Sequence, residues 1–178
     1  MSRVFGKVRQ LGFVVHDIEA SLARFERLGI GPFYRLDHVE LDYFRVNGKD
    51  MDIDLSLALG YSGGVQFELI QQHNPEPSPY KDFLDTRGEG IHHLCTWADD
   101  FEKDVARWQA DGHKIVVDGM VGGGRFVYFD TEMYPGTYLE VGDLTLWRGV
   151  MQRMEDEAAQ WDGHDPVRSM ADLVAELA

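Results

Sequence analysis

DIEASLARFERLG, residues 17–29, returns 83 residues further along the chain as DFEKDVARWQADG, residues 100–112. Asp, Glu, Ala, Arg and Gly recur at identical positions of the two segments, and three further positions exchange one apolar residue for another. The same offset superposes residues 8–15, an apolar run typical of a buried strand, on residues 91–98. Internal repetition usually reflects the architecture of the whole domain, so the pattern predicts two related units.

Each unit is predicted to continue with three further strands. An aspartate opens each helix as an N-cap, and a glycine ends it. The strand-like segments are residues 33–46 (with a bend near Asp37), 52–61 and 65–72 in the first unit, and residues 113–121, 125–131 and 137–144 in the second. Ser62-Gly63-Gly64 predicts a hairpin, and three prolines in residues 74–79 predict an irregular linker. The repeated unit is therefore predicted to be β-α-β-β-β.

The last part of the chain lies outside the repeat. Residues 146–161 and 167–177 have helical patterns, and we expect this tail to dock on the domain or on a second subunit. The sequence thus predicts an α+β domain at residues 7–144, with units at about 7–73 and 89–144. A C-terminal helical extension follows at residues 145–178.

Composition limits the classes of function. The 178 residues carry a net charge of −14, which argues against a nucleic-acid partner. The N-terminus lacks the apolar core of a signal peptide, and no apolar stretch approaches the ~20 residues that span a bilayer. The single cysteine, Cys95, lies in an apolar run and fits a buried, inert thiol in a reducing compartment. We therefore expect a cytoplasmic protein that does not bind membranes.

Four polar side chains interrupt the apolar strands at matched positions. Gln10 and His93 lie in the first strands of the two units, and Glu68 and Glu140 lie in the last strands. Taken singly, each has an ordinary explanation, because strand carboxylates commonly face solvent and a lone histidine is commonly a satisfied core residue. Taken together, two carboxylates, an imidazole and an amide oxygen make a ligand set for a divalent ion.

These residues and their order resemble the vicinal oxygen chelate superfamily, which includes glyoxalase I, methylmalonyl-CoA epimerase, extradiol dioxygenases and bleomycin-resistance proteins. The resemblance covers about residues 7–144. Gly-Ile-His-His93-Leu, followed by Trp-Ala-Asp-Asp, is similar to the epimerase and glyoxalase I branch, as is Pro-Gly-Thr-Tyr-Leu-Glu140. The resemblance implies a curved mixed sheet built from two tandem βαβββ units around a metal site.

The resemblance also implies the ligands. Carried over, they are Gln10, Glu68, His93 and Glu140, and they would hold a divalent ion such as Zn, Ni, Co, Mn or Fe. Glutamine at the first position is like some glyoxalase I members, whereas the epimerases and iron dioxygenases typically have histidine there. This departure weakens a dioxygenase interpretation, because a two-histidine, one-carboxylate iron site would lack its first histidine.

The activity implied by the resemblance is that of a metal-dependent isomerase or epimerase, which removes a proton alpha to a carbonyl through a metal-stabilised enolate. Glu140 would be the ligand and base, with Glu68 sharing the work. Epimerisation needs a second acid or base, for which Asp52 and Asp54 are candidates. The alternatives are a glyoxalase I-like lyase and a non-catalytic protein that binds an antibiotic.

Further predictions concern neighbouring residues and partners. His92 points away from the face of His93 in a regular strand, so we expect a second-layer or structural residue. His73 lies either at the mouth of the site or on the surface. The expected partner is a small carbonyl substrate, apolar or a thioester, and the superfamily implies a homodimer.

Overall fold

The computed structural model describes residues 5–134 and 136–177, which form one mixed sheet with five helices. The strands are β1 (Gln10–Val14), β2 (Phe33–Leu36), β3 (Leu41–Val46), β4 (Lys49–Asp50), β5 (Leu55–Ser62), β6 (Val65–Gln72), β7 (Gly90–Trp97), β8 (Lys114–Val121), β9 (Gly124–Tyr134), β10 (Thr137–Gly142) and β11 (Val167–Ser169). The helices are α1 (Ile18–Glu26), α2 (Pro79–Arg87), α3 (Phe101–Ala110), α4 (Arg148–Gln160) and α5 (Met170–Leu177).

The sheet contains the predicted repeat. The strand order is β11-β2-β5-β6-β1-β7-β10-β9-β8-β3-β4. From the centre outward, the first half runs β1, β6, β5, β2, and the second runs β7, β10, β9, β8. In both halves the first strand of the unit lies beside the last one, so the predicted α+β fold with a curved mixed sheet is confirmed.

The two halves meet along an antiparallel pair with a two-fold register. Gln10 pairs with Cys95, and Gly12 pairs with His93. Moving each residue to its equivalent 83 positions away exchanges these two pairs. Beside them, Glu68 pairs with Gly12 on one side and Glu140 pairs with Cys95 on the other. The repeat in the sequence is therefore a local two-fold in the sheet, and its centre carries the polar residues.

One predicted strand is divided in the structure. Residues 33–46 form two strands, and the chain turns between them at His38, whose φ of 46° is in the left-handed region. β2 stays in its own unit beside β5, whereas β3 pairs with β8 of the other unit. The expectation of a single bent strand is thus wrong, because the second half of the segment finds its hydrogen-bond partners on the free edge of β8.

The helices begin where the sequence predicts. The side chain of Asp17 accepts a hydrogen bond from the Ala20 amide, and Asp100 does the same for Lys103. Ile18 and Leu22 of α1 are buried, as are the equivalent Phe101 and Val105 of α3. α2 is an addition to the predicted linker: Ser78 caps it and Pro79 starts it, which suits proline at the first helical position.

The C-terminal tail docks on the first half of the sheet. Residues 167–169, expected to be helical, form β11 parallel to β2, and α5 follows. Apolar side chains of the tail pack against the sheet in one cluster with Met151, Met154, Tyr34, Leu59 and Tyr61. Glu157 binds Arg168 and the Tyr34 hydroxyl. None of the helices in the described residues has the length and hydropathy that a membrane crossing requires.

Candidate metal centre

Three of the four predicted ligands meet at the centre of the sheet. His93 Nε2 lies 2.9 Å from Glu140 Oε2 and 3.2 Å from Glu68 Oε2. The three side chains are supplied by β7, β10 and β6, so both units contribute. The His93 side chain is completely buried, and the carboxylates expose only 13% (Glu68) and 11% (Glu140). Such a group of ligand atoms, removed from water, can hold a cation.

The charges in this cluster depend on one another. Burial opposes a charge on His93, but the attraction of Glu140 and Glu68 outweighs it and raises the pKa of His93 to about 9. Burial raises the pKa of Glu68 above its usual range, with the Glu140 charge adding to the rise and His93 opposing it. Two buried carboxylates close to each other are therefore stabilised by a positive charge between them.

Gln10 lies beside the cluster on the same face of the sheet. It is two residues from Gly12, whose backbone pairs with both Glu68 and His93. Its side-chain amide donates a hydrogen bond to Gln66 Oε1 at 2.8 Å, which occupies the donor side of the group. Gln10, Glu68 and Glu140 line the same cavity. Gln10 therefore borders the cavity that the two carboxylates line, and its role as a fourth ligand stays a prediction.

Gly12 is required by the position of the His93 ring. A Cβ atom on Gly12 would lie 1.9 Å from His93 Cε1 and 2.2 Å from Nε2. Any side chain at this position would push the imidazole away from the carboxylates. The sequence alone does not reveal this role, because the contact depends on the register between β1 and β7.

His92 contacts the His93 ring through its Nδ1 atom. The two Nδ1 atoms are 3.2 Å apart, and both rings are fully buried. Burial lowers the pKa of His92 well below its usual range, and the neighbouring His93 adds to the effect. A neutral His92 can accept the Nδ1 proton of His93, which leaves Nε2 of His93 facing the carboxylates. The prediction that His92 points away from His93 is wrong, because the register shift between β1 and β7 at this point brings both rings against Tyr128.

A cavity of about 130 Å³ opens onto the cluster. Its wall is mainly apolar and includes leucines of β2 and β5 together with Ile70, Trp97 and Phe126. The tail completes it with Trp147, Met151 and Met170. Tyr80 and Tyr128, whose hydroxyls are 2.8 Å apart, add polar atoms near the carboxylates. Tyr128 is the cross-strand partner of Glu140, a relation that spacing alone does not reveal.

Asp54, predicted as a second acid or base, lies elsewhere. Along the strand, Leu55 and Leu57 line the cavity, and the alternation of side chains turns Asp54 and Ser56 to the other face. Asp54 Oδ1 is 2.8 Å from His38 Nδ1. Asp52 is exposed and outside the cavity as well. The structure therefore does not bring either aspartate to the predicted ligands.

The residues at the centre fit a divalent ion on their own geometry. His93 Nε2 is buried and has no hydrogen bond of good geometry, although two carboxylates approach it. A buried imidazole nitrogen aimed between two carboxylate oxygens is a set of donors that zinc, nickel, cobalt, manganese and iron accept. The predicted ligand set is thus compatible with the structure.

A protein-family comparison agrees with the fold. Residues 9–129 match the model of the Glyoxalase/Bleomycin resistance protein/Dioxygenase superfamily. The chain belongs to this superfamily. The match includes Gln10, Glu68 and His93, and it ends before Glu140 and the tail. No curated protein matches the chain.

Several solved structures share the fold of this chain. Methylmalonyl-CoA epimerase from Mycobacterium tuberculosis superposes with a TM-score of 0.57 at 16% identity, covering 80% of this chain and 91% of its own. A hypothetical protein from Bacillus halodurans C-125 gives 0.57 at 18% identity, with 77% and 93% covered. A variant of Streptomyces coelicolor methylmalonyl-CoA epimerase, in complex with 2-nitronate-propionyl-CoA, gives 0.51 at 17% identity, with 77% and 96% covered. At these identities the likeness establishes the fold alone.

Proposed function

We propose that the protein is a divalent-metal-dependent isomerase or epimerase that removes a proton alpha to the carbonyl of a small apolar substrate. The observation that carries this proposal is the pairing of Glu68 and Glu140 around one buried imidazole at the end of an apolar cavity. The superfamily membership and the similarity to epimerase structures support the same class of chemistry.

Gln10, Glu68, His93 and Glu140 would hold the ion. When bound there, a divalent ion supplies Lewis acidity, which polarises a substrate carbonyl and makes its alpha proton more acidic. The neutral His92 would keep the His93 ring in the orientation that binding requires. In this proposal the four ligands and His92 all serve to bind the ion.

The two carboxylates offer a way to move the proton on two sides of the substrate. β6 and β10 flank the central β1–β7 pair, so Glu68 and Glu140 approach the cavity from opposite sides. We assign the removal of the proton to Glu140 and its return to Glu68. A carboxylic acid placed on the side opposite the base can return a proton to the other face of the substrate. This arrangement needs no contribution from Asp54.

The cavity favours a compact apolar carbonyl compound over a large anionic thioester. Recognition of phosphate groups requires clustered arginine or lysine. Arg125 is the one basic residue among the described residues of the cavity wall, and Asp118, Glu102 and the Tyr43 hydroxyl already bind its guanidinium. The coenzyme A thioester bound by the Streptomyces protein is therefore a poorer model for this substrate than a short-chain ketone or aldehyde.

A glyoxalase I-like lyase is the second candidate. The glutamine at the first ligand position favours it, since Gln10 replaces the histidine typical of the epimerases. A substrate made from glutathione and an alpha-ketoaldehyde tests it directly. Conversion of that substrate, without exchange in simple ketones, would select the lyase. The antibiotic-binding alternative has less support, because a binding protein does not need four inward-facing ligands.

Exchange of the alpha proton tests the proposed function. Metal-loaded protein is incubated in deuterated water with a panel of short-chain ketones, aldehydes and thioesters, and proton loss is followed by NMR. We expect exchange in at least one apolar carbonyl compound. The exchange rate should be at least 100-fold lower in Glu140→Gln, as is typical when a general base is removed. Asp54→Asn is the matched control and should retain the wild-type rate. Equal rates in wild type and Glu140→Gln would refute the assignment.

A further inference from the structure

A second group of metal-ligand side chains lies on the other face of the sheet. His38 lies in the turn after β2, Asp54 just before β5, and His73 just after β6. Their ligand atoms all lie within 4.8 Å of one another. His38 Nδ1 is 2.8 Å from Asp54 Oδ1, and the two imidazole rings are 4.8 Å apart between centroids. Two histidines and an aspartate from three separate segments therefore converge on one point.

The backbone holds these three segments in place. The His73 amide donates to the Asp54 carbonyl at 2.8 Å, which fixes two of the ligands directly to each other. The Val39 amide donates to the Leu55 carbonyl at 2.8 Å, and this bond secures the turn that carries His38. His38 itself has a positive φ, a conformation that a non-glycine residue retains only where its surroundings enforce it. The group is thus preorganised.

The chemistry of the group selects a transition metal. Imidazole nitrogens suit zinc, copper and nickel, whereas calcium and magnesium prefer oxygen ligands alone. Bond lengths of about 2.0–2.2 Å place ligand atoms roughly 3.4 Å apart around a tetrahedral zinc. This value lies between the 2.8 Å that separates His38 Nδ1 from Asp54 Oδ1 and the 4.8 Å limit of the group. The Ser56 hydroxyl, 2.8 Å from His73 Nε2, is buried and marks the inner wall.

We propose that His38, Asp54 and His73 form a second site for a divalent transition-metal ion such as Zn²⁺, separate from the central cluster. Three protein ligands leave one position for water. The side chains of His38 and Asp54 are 67% and 38% exposed, so the ion exchanges with the medium, in contrast to an ion at the buried His93. Alternation along β5 places the sheet between the two sites, and the proposal does not depend on the proposed function.

Metal stoichiometry tests the second site. Metal-free protein is dialysed against micromolar Zn²⁺, and bound zinc per chain is measured by mass spectrometry in wild type, His73→Asn, Glu140→Gln and the double variant. We expect His73→Asn to lose one equivalent of zinc in both the wild-type and the Glu140→Gln background. His164→Asn changes an exposed histidine of the tail and should leave the stoichiometry unchanged.

The outcomes separate this site from the central one. If Glu140→Gln also lowers the number of zinc ions bound per chain, the central cluster binds zinc independently of the second site. If Glu140→Gln leaves that number unchanged, the zinc lost in His73→Asn still belongs to the second site. Unchanged stoichiometry in His73→Asn would overturn the proposal. Thermal unfolding in the absence of metal checks that the variants are folded. His38→Asn, which changes a side chain that is 67% exposed, should repeat the loss without disturbing the fold.

Discussion

At the residue scale, the central site depends on the absence of a side chain at Gly12. Gly12→Ala places a methyl group against the His93 ring, so the imidazole must move away from Glu68 and Glu140. We expect zinc affinity at the central cluster to fall at least tenfold and the free energy of unfolding to fall by about 1–3 kcal/mol, typical of overpacking. Calorimetric titration and chemical denaturation measure the two effects.

The control for this substitution is Gly149→Ala. A Cβ atom there meets nothing within 4 Å, and Gly149 lies inside α4. Alanine in a helix is more favourable than glycine by about 1 kcal/mol, so this variant should be slightly more stable with unchanged metal affinity. A Gly12→Ala variant that binds zinc like the wild type would show that the ring contact is unimportant.

His93 makes metal affinity depend on pH. With its pKa raised to about 9, metal-free protein holds a proton on His93 at neutral pH, and binding must displace it. Apparent affinity at the central cluster should therefore rise about tenfold per pH unit below pH 9 and level off above it. Titrations of His73→Asn protein across this range measure the slope.

The ion pair of protonated His93 with Glu140 and Glu68 stabilises the metal-free protein, and this stabilisation falls as pH rises, whereas metal affinity increases. The pKa of His93 is higher in the folded protein than its ordinary value of 6.5, so its contribution is complete below about pH 6.5 and is lost as pH rises through 9. In His93→Gln this loss between pH 6.5 and 9 should be absent. A metal affinity that does not change with pH would contradict the charge arrangement described for the cluster.

At the element scale, the tail is an integral part of the first half of the sheet. Met154 of α4 is 1% exposed and packs in the cluster with Tyr34 and Leu59. Met154→Ala should lower the free energy of unfolding by about 2–5 kcal/mol, as is usual for large-to-small changes in a core. Gln152→Ala, on the exposed side of the same helix, should change it by less than about 0.5 kcal/mol. Equal effects would mean that the tail does not dock.

Elements with a strong local signal were predictable, and those set by partners elsewhere in the sheet were not. The repeated helices have N-caps and apolar faces, and the β5–β6 hairpin has its glycine turn, so the sequence predicts them closely. The split of residues 33–46 depends on the free edge of β8, and β11 depends on β2. Pairing partners of this kind leave no local signal.

The candidate site follows the same division. Glu68, His93 and Glu140 were identifiable because polar groups interrupt apolar strands at matched positions of the repeat. The roles of Gly12, Tyr128 and the cavity walls depend on the register between neighbouring strands. Local sequence patterns do not reveal that register. Asp54 does not line the cavity, because the alternation of side chains along the strand turns it to the other face of the sheet, beside His38.

At the scale of the whole molecule, the central cluster joins the two units. Its candidate ligands come from both halves of the sheet, so an ion bound there should stabilise the entire fold. In a His73→Asn background, zinc at 100 times its dissociation constant should add about 2.7 kcal/mol to the free energy of unfolding. His93→Gln should reduce this gain, and a gain that stays the same would place the ion elsewhere. The homodimer and the cytoplasmic location stay predictions.

The most direct measurement is alpha-proton exchange in deuterated water, followed while metal-free His73→Asn protein is titrated with cobalt. The proposed function predicts that exchange is absent without metal, rises with each addition and levels off at one equivalent, and that Glu140→Gln binds substrate but exchanges at least 100-fold more slowly. Exchange at the full rate in metal-free protein, or in Glu140→Gln, would contradict a metal centre that uses Glu140 as its base.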